Sequence, residues 1–423
     1  MCWLLGVRNI MVISAKSNRE VTMIFLLFLI SAGVRWLAVT VLSIEPVSDS
    51  AAYMNMASTM LADGNMLDLK GNVAMYSSGY PLFLVPFFAI FGDTPQVAQY
   101  VNALLGGIGV VLVYLCSKRL FENKWLMVLP ALLWAFYPPA ILYTEYIAKE
   151  NLMVVLLMLQ VLLLLYFPSA NRKIFIAVLL GINFGLQLLV GPAILLTGAM
   201  IFLVVSNLLL NKNQNGLTIK PFLVVILVSI VVVAPWLGYT YNKLGKPVLN
   251  TNGGFNLYLG NNPSADVFFS GIQNTPMGPH WHDLKKRKGE VEASAILKSK
   301  AISYALDNPL TTMKRSVKKV IYFWLPPIHE GEGGNKSTLE SLVRMAWLVY
   351  YILLLTGCFL ILLKIKKLMG GHLVIIGTVA SYAVIYAAAY IIFRYRLPIM
   401  PLVCILSVTG LSLFLPEKDK SIE

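Results

Sequence analysis

Apolar residues run in long blocks from Val21 to Leu415, interrupted by short stretches rich in lysine, glycine and proline. A helix needs about 20 such residues to cross a hydrocarbon core. The blocks predict spans at residues 22–42, 96–116, 125–143, 146–166, 174–189, 192–210, 221–240, 342–363, 372–392 and 397–414. The ten-residue alternation of a membrane barrel strand does not occur, and lipid admits only helices or closed barrels. The pattern therefore implies an all-α polytopic membrane protein with about ten transmembrane helices. GYPLFLVPFFAIFG, residues 79–92, is apolar but short and holds two prolines, which predicts a helix lying along the interface within the first outer loop.

Composition agrees: 58% of the 423 residues are hydrophobic and 13% charged, which excludes an ordinary soluble globular chain. Arg8, Lys16 and Arg19 precede the first apolar block and no small-residue cleavage site follows it, so the first helix is expected to be retained. Lys118, Arg119, Lys124, Arg172, Lys173, Lys212, Lys220, Lys364, Lys366 and Lys367 then fall in loops of one side, the cytoplasmic side by the positive-inside rule. The expected organisation is a cytoplasmic N-terminus (1–21), a transmembrane core (22–240) with an outer loop at 43–95, a basic outer segment (241–339), C-terminal spans (340–415) and a cytoplasmic tail (416–423). The segment 241–339 carries thirteen Lys/Arg against seven Asp/Glu, which suits lipid phosphates at the outer leaflet or, more simply, a solvated basic surface. Nothing points to nucleic acid. Cys2, Cys116, Cys358 and Cys404 lie at the terminus or inside apolar blocks and predict neither a disulfide framework nor a zinc site.

The candidate chemistry falls on the outer face. In SDSAAYMNMASTMLADG, Ser48 is a helix-capping type, Asp49 lies in the first turn, and Tyr53, Met56 and Met60 share one apolar stripe. Asp49 alone is accounted for by the helix dipole, worth about 0.3–1 kcal/mol. In YTEYIAKENLM, Glu145 and Lys149 are spaced for a helix-surface ion pair, which leaves Glu150 free just below the interface, where a carboxylate is costly without a function. In FRYRLPIMP, Arg394 and Arg396 precede a proline and could grip a phosphate with forked donors or snorkel as anchors. Arg35 sits inside the first span with no partner nearby in sequence.

Six landmarks occur in the order seen in one family: DSAAY, SGYPLF, KENLM after a double proline, APW followed by TNGGFNLYLGNNP, ALDNPLTTMKRSVKKVIYFWLPP, and RYRLPIMP. In these the chain resembles the GT-C polytopic glycosyltransferases, in the bacterial branch similar to protein O-mannosyltransferases and lipid A aminoarabinose transferases. The resemblance implies transfer of a sugar from a polyprenyl-phosphate-linked donor on the periplasmic face of the cytoplasmic (inner) membrane. It places the catalytic base at Asp49, a second acidic residue at Glu150, and donor-phosphate contacts at Arg394 and Arg396, with Lys149 assisting. Tyr53, Tyr80, Asn252 and Asn261 join them as substrate-binding candidates.

A phosphate leaving group needs no covalent enzyme intermediate, so a single displacement with inversion is expected. The chain has Val190-Gly191-Pro192 where many relatives have Arg-Pro, and Tyr239-Thr240 where many have Arg-Asn, which leaves the sugar open. A short outer loop and tail favour a glycolipid acceptor such as lipopolysaccharide, lipid A or core over a polypeptide. A transporter of polyprenyl-linked glycolipids is the rival, although the charges cluster at the outer face and no internal repeat is seen. His280, His282 and Asp283, with no distant partner, make a poor metal site, so no cofactor is predicted and a divalent cation is left open. Trp281 offers a stacking surface for a sugar.

Overall fold

The computed structural model describes residues 18–42, 44–170, 172–191, 198, 219–326, 338–368 and 370–415. The order is α1 (Asn18–Leu42), α2 (Asp49–Asp63), α3 (Gly79–Phe91), α4 (Pro95–Lys118), α5 (Lys124–Ala135), α6 (Pro138–Leu142), α7 (Glu150–Tyr166), α8 (Lys173–Val190), α9 (Ile219–Leu244), α10 (Asn252–Gly260), α11 (Gly278–Asp307), α12 (Pro309–Trp324), α13 (Thr338–Leu363), α14 (Gly370–Ala387) and α15 (Met400–Ser412). Among the described residues there are no strands, only a bridge between Phe268 and Ile391. The protein is a multi-pass helical membrane protein.

Among these residues eight helical segments are long and apolar enough to cross a bilayer: those of α1, α4, α7, α8, α9, α13 and α14, and Phe393–Ser412. Apart from residue 198, the expected span at 192–210 lies outside the described residues. The expected span at 125–143 is not one helix: α5 stops at Ala135, and α6 begins at Pro138 after the extended Tyr137. Proline lacks the N–H that would continue the ladder and pushes the residue before it out of the α region. The expected span at 146–166 begins later, at Glu150, and that at 372–392 ends earlier, at Ala387. With 13 residues, α3 is about 20 Å long at 1.5 Å per residue, shorter than a span as its sequence predicts.

Small residues let the long helices approach. A Cβ on Gly106 of α4 would lie 2.2 Å from Arg35 Cδ on α1, and Gly410 meets Gly357 across α15 and α13. Arg35 is 1% exposed and turns inward, donating to Ser31 Oγ at 2.6 Å and to the carbonyls of Ala135 and Trp134. It caps the broken end of α5, where Pro138 and Pro139 offer no N–H to the carbonyls and that of Trp134 accepts a long bond from Tyr137, 3.3 Å. Against the expectation of no partner nearby in sequence, Arg35 has Ser31 one turn back, and it also has the carbonyl of Ala135 a hundred positions away.

The outer segments are stitched together. Glu290, beside the Gly289 kink in α11, accepts the N–H groups of Val73 and Ala74 and the hydroxyl of Thr251. Thr251 N–H also reaches Ala74 O at 2.6 Å. The start of α10 and the kink of α11 are therefore both fastened to residues 73–74 of the first outer loop.

Candidate active site

Three chain segments converge at the outer-segment end of the bundle. Asp49 opens α2 and Glu150 opens α7, each at the positive end of a helix dipole. Arg394 comes from the 3-10 turn Phe393–Ile399 that leads into α15. Its guanidinium pairs with Asp49 Oδ2, while its Nε lies 3.6 Å from Glu150 Oε1. The side chains of Asp49 and Arg394 are 27% and 24% exposed and that of Glu150 is 4% exposed. A molecule arriving from outside therefore meets Asp49 and Arg394, with Glu150 underneath holding the arginine.

The backbone at Asp49 is under tension. Ser48, the residue expected to cap α2, has φ 52° and makes no side-chain cap bond. Among the described residues it is the one non-glycine with positive φ, a conformation that costs about 1–3 kcal/mol and gathers at functional sites. Its carbonyl still accepts Ala52 N–H, so the first turn of α2, which carries Asp49, closes on the strained residue. The stripe Tyr53, Met56 is buried against protein rather than lipid, and Tyr53 stacks edge-on with Tyr76 and Tyr80, each at 5.6 Å. Gly79, in SGYPLF, lets α3 approach the end of α8: a Cβ there would lie 2.8 Å from the Leu189 carbonyl carbon.

The charges around Glu150 are paired differently from expectation. Glu145 precedes the helix, in a turn held by the Gln99 amide on its carbonyl (3.0 Å) and the Asn102 amide on the carbonyls of Thr144 and Tyr146. It therefore shares no helix with Lys149, and the predicted ion pair does not form. Neither carboxyl oxygen of Glu145 makes a good hydrogen bond, and burial raises its pKa, opposed by the Ile44 backbone amide. Lys149 instead lies in the field of Glu150, Arg394 and Asp49. Burial lowers its pKa most, with Arg394 adding to that, while Glu150 and Asp49 oppose it.

The two arginines of RYR part company. Arg396 is 4% exposed, and its Nη1 donates to the carbonyls of Phe323 and Leu325 and to the Tyr351 hydroxyl. Its guanidinium lies 4.7 Å from the Tyr351 ring centroid. It ties α12 to α13 while Arg394 faces Asp49, because residues two apart on a tight turn point to different sides. Tyr80 is fully buried, its hydroxyl donating to Asn102 Oδ1 at 2.8 Å. It braces the turn that carries Lys149 and Glu150.

Asn261, at the end of α10, spends its amide on the carbonyls of Leu257 and Ala388, and Asn252 is the half-exposed first residue of that helix. On the same helix Asn256 accepts a hydrogen bond from Tyr390 at 3.0 Å. Tyr390 and Tyr76 both feel Asp49 and Arg394. Tyr76 is pushed up to about 12, by burial first and then by Asp49. Sequence reasoning missed Tyr76, Asn256, Tyr390, Gln99 and Asn102. The last two were legible as polar residues one turn apart in an apolar helix.

His280, His282 and Asp283 lie at the start of α11, where the Trp281 ring packs on Phe255 at 5.2 Å. Among the described residues no three His, Cys, Asp or Glu side chains gather as metal ligands.

The same arrangement of helices occurs in solved proteins. The Archaeoglobus fulgidus oligosaccharyltransferase, in a complex with zinc and sulfate, superposes with a TM-score of 0.50 at 14% identity, over 92% of this chain and 49% of that one. The chain thus spans about half the length of that enzyme. The chain has the GT-C glycosyltransferase fold. Two structures of ArnT from Cupriavidus metallidurans, one bound to undecaprenyl phosphate and one apo, match less closely, with TM-scores of 0.46 and 0.45 at 14% and 12% identity. They cover 93% and 92% of this chain and 77% and 78% of ArnT. Residues 79–239 of this GT-C protein match the family model described as dolichyl-phosphate-mannose-protein mannosyltransferase. No curated protein sequence matches. Of the six landmarks, DSAAY, KENLM and RYRLPIMP meet at the Asp49–Arg394–Glu150 cluster.

Proposed function

We propose that this GT-C protein transfers a sugar from a polyprenyl-phosphate-linked donor to a glycolipid acceptor at the outer face of the cytoplasmic membrane. The observation that carries the reading is the meeting of Asp49, Glu150 and Arg394 from three distant segments at a partly open site. A sugar hydroxyl is a poor nucleophile, and Asp49 is the exposed carboxylate able to take its proton during attack on the anomeric carbon. Arg394 and Lys149 supply fixed positive charge for the departing lipid phosphate, most effective where water is excluded. Glu150 keeps Arg394 in place. Arg396 is assigned no contact with the donor. A phosphate entering the site competes with Asp49 for Arg394, so donor binding frees the base as it seats the leaving group. Attack by the acceptor oxygen then breaks the anomeric C–O bond in one displacement and inverts the anomeric carbon.

The test is transfer of radiolabelled sugar from a polyprenyl phosphate to purified lipopolysaccharide, lipid A or a polypeptide, by wild type and Asp49→Asn. We predict transfer to glycolipid that falls about 10²–10⁴-fold in the variant, while the bare polyprenyl phosphate binds at least as tightly as to wild type. Undiminished transfer in Asp49→Asn removes the assigned base, and labelling of polypeptide alone replaces the acceptor. Movement of lipid between leaflets with no transfer to any acceptor would leave a transporter.

A further inference from the structure

The outer segment holds one helix whose two faces have separate tasks. On one side of α12, Lys319 is 1% exposed and donates to Gly260 O at 2.9 Å, Arg315 donates to Asn262 O at 2.9 Å, and Phe323 is buried. These residues fasten α12 to the end of α10. On the other side Leu310, Met313, Val317 and Ile321 are each more than half exposed. At 100° per residue these four fall within an arc of about 80°, run for roughly 17 Å, and lie opposite Lys319. Leu306, just before the helix, is exposed beside them. Lys314 and Lys318 border the stripe, both exposed, and Lys318 reaches over the Tyr322 ring. The sequence of α12 holds four basic residues and no acidic one.

The C-terminal end of this helix is fixed to two spans. Arg396, at the start of the Phe393–Ser412 span, holds the carbonyls of Phe323 and Leu325, and Tyr351 in α13 donates to Trp324 O at 2.8 Å. Apolar side chains exposed on the same half of α13, among them Met345 and Val349, belong to a span that a bilayer covers. The apolar stripe of α12 starts from the end that is bonded to this span. Sixteen residues with four charges cannot cross a membrane, but an amphipathic helix of this kind lies in the interface with its lysines at headgroup level.

We propose that α12 is a membrane-surface helix, its Leu310–Ile321 face immersed in the outer leaflet and Lys314 and Lys318 bound to anionic phospholipid headgroups. The occupant is the bilayer itself, on two grounds: the end of the stripe is tied to two spans through Tyr351 and Arg396, and cations that face outward without acidic neighbours on the helix complement an anionic surface. Through the contacts of Arg396, the turn that carries Arg394 is then referenced to the membrane plane. The proposal does not depend on the reaction assigned above.

The test uses the full chain in nanodiscs of phosphatidylcholine, with and without phosphatidylglycerol. Met313→Cys, Val317→Cys and Ile321→Cys, and Ser299→Cys on the exposed side of α11, are spin-labelled, with labelled wild type as the blank for its own cysteines. Collision with oxygen and with a nickel chelate is then measured. The expected result is an oxygen-to-nickel collision ratio at 313, 317 and 321 several-fold above that at 299, and higher still with phosphatidylglycerol. Lys314→Gln/Lys318→Gln abolishes only the phosphatidylglycerol increment.

A stripe as open to nickel as position 299 overturns the proposal. Label–label broadening that disappears on dilution with unlabelled protein assigns the face to a second copy and overturns it equally. Readings identical in the two lipid mixtures overturn the headgroup assignment.

Discussion

At the scale of single residues, the charges are arranged as two carboxylates around one arginine with a lysine alongside. Asp49 and Glu150 share Arg394, and the more exposed of the two is the one free to meet a substrate hydroxyl. Lys149 gives this arrangement a pH dependence. Burial is the largest influence on it and lowers its pKa. The folded protein therefore holds that proton less tightly than the unfolded chain does, so folding stability gains as pH rises from the folded to the unfolded pKa. Function runs the other way: the cation is complete below the folded pKa and lost above it. We predict that donor KM rises on the alkaline side at a pH below the ordinary lysine range. In Lys149→Arg this alkaline limb should shift upward, because guanidinium does not deprotonate there. Superimposable pH profiles of KM for the two proteins would remove Lys149 from donor binding. Asp49 and Glu150 were legible as acids at helix starts, whereas the burial of Glu145 was hidden by its spacing to Lys149.

At the scale of elements, local signals placed most helices, and proline decided where they broke. Residues 125–143 are apolar enough to span, yet Pro138 and Pro139 divide them. Arg35 then supplies donors to the carbonyls this break exposes. That contact needs Gly106, so we predict that Gly106→Ala destabilises α1–α4 packing by about 1–3 kcal/mol. The expected reading is a lower apparent Tm in detergent; an unchanged Tm would show that Arg35 shifts aside at no cost. Glu290 makes the comparable junction between the outer segments. Replacing it with Gln removes charge assistance to the amides of Val73 and Ala74. We expect loop 64–78 to gain hydrogen exchange and proteolysis first, by about 1–2 kcal/mol of local protection.

At the scale of the whole molecule, the two sides of the membrane are distinguished by what each end of the bundle carries. The ion-paired site, the loop stitched by Glu290, and α12 all belong to the end expected outside. We predict that a reporter fused after Leu244 reads as periplasmic and one after Lys367 as cytoplasmic. The reverse reading at both positions would move the site to the other face of the membrane.

The sequence by itself determined the class of molecule. A helical membrane chain follows from the length and spacing of apolar blocks, and the start of α2 follows from residues adjacent in the chain, whereas α7 starts four residues later than they suggest. Hydropathy, capping chemistry and proline are local, acting within a turn or two. Which charges meet was decided only by tertiary structure. Arg394 finds Asp49 across 345 positions, Arg396 is turned to the carbonyls of α12, and Lys149 loses its neighbour Glu145 to gain Glu150 and Asp49. An ion pair depends on separation in space and on burial, and both are set by packing of helices whose order in the chain does not disclose which ends will touch.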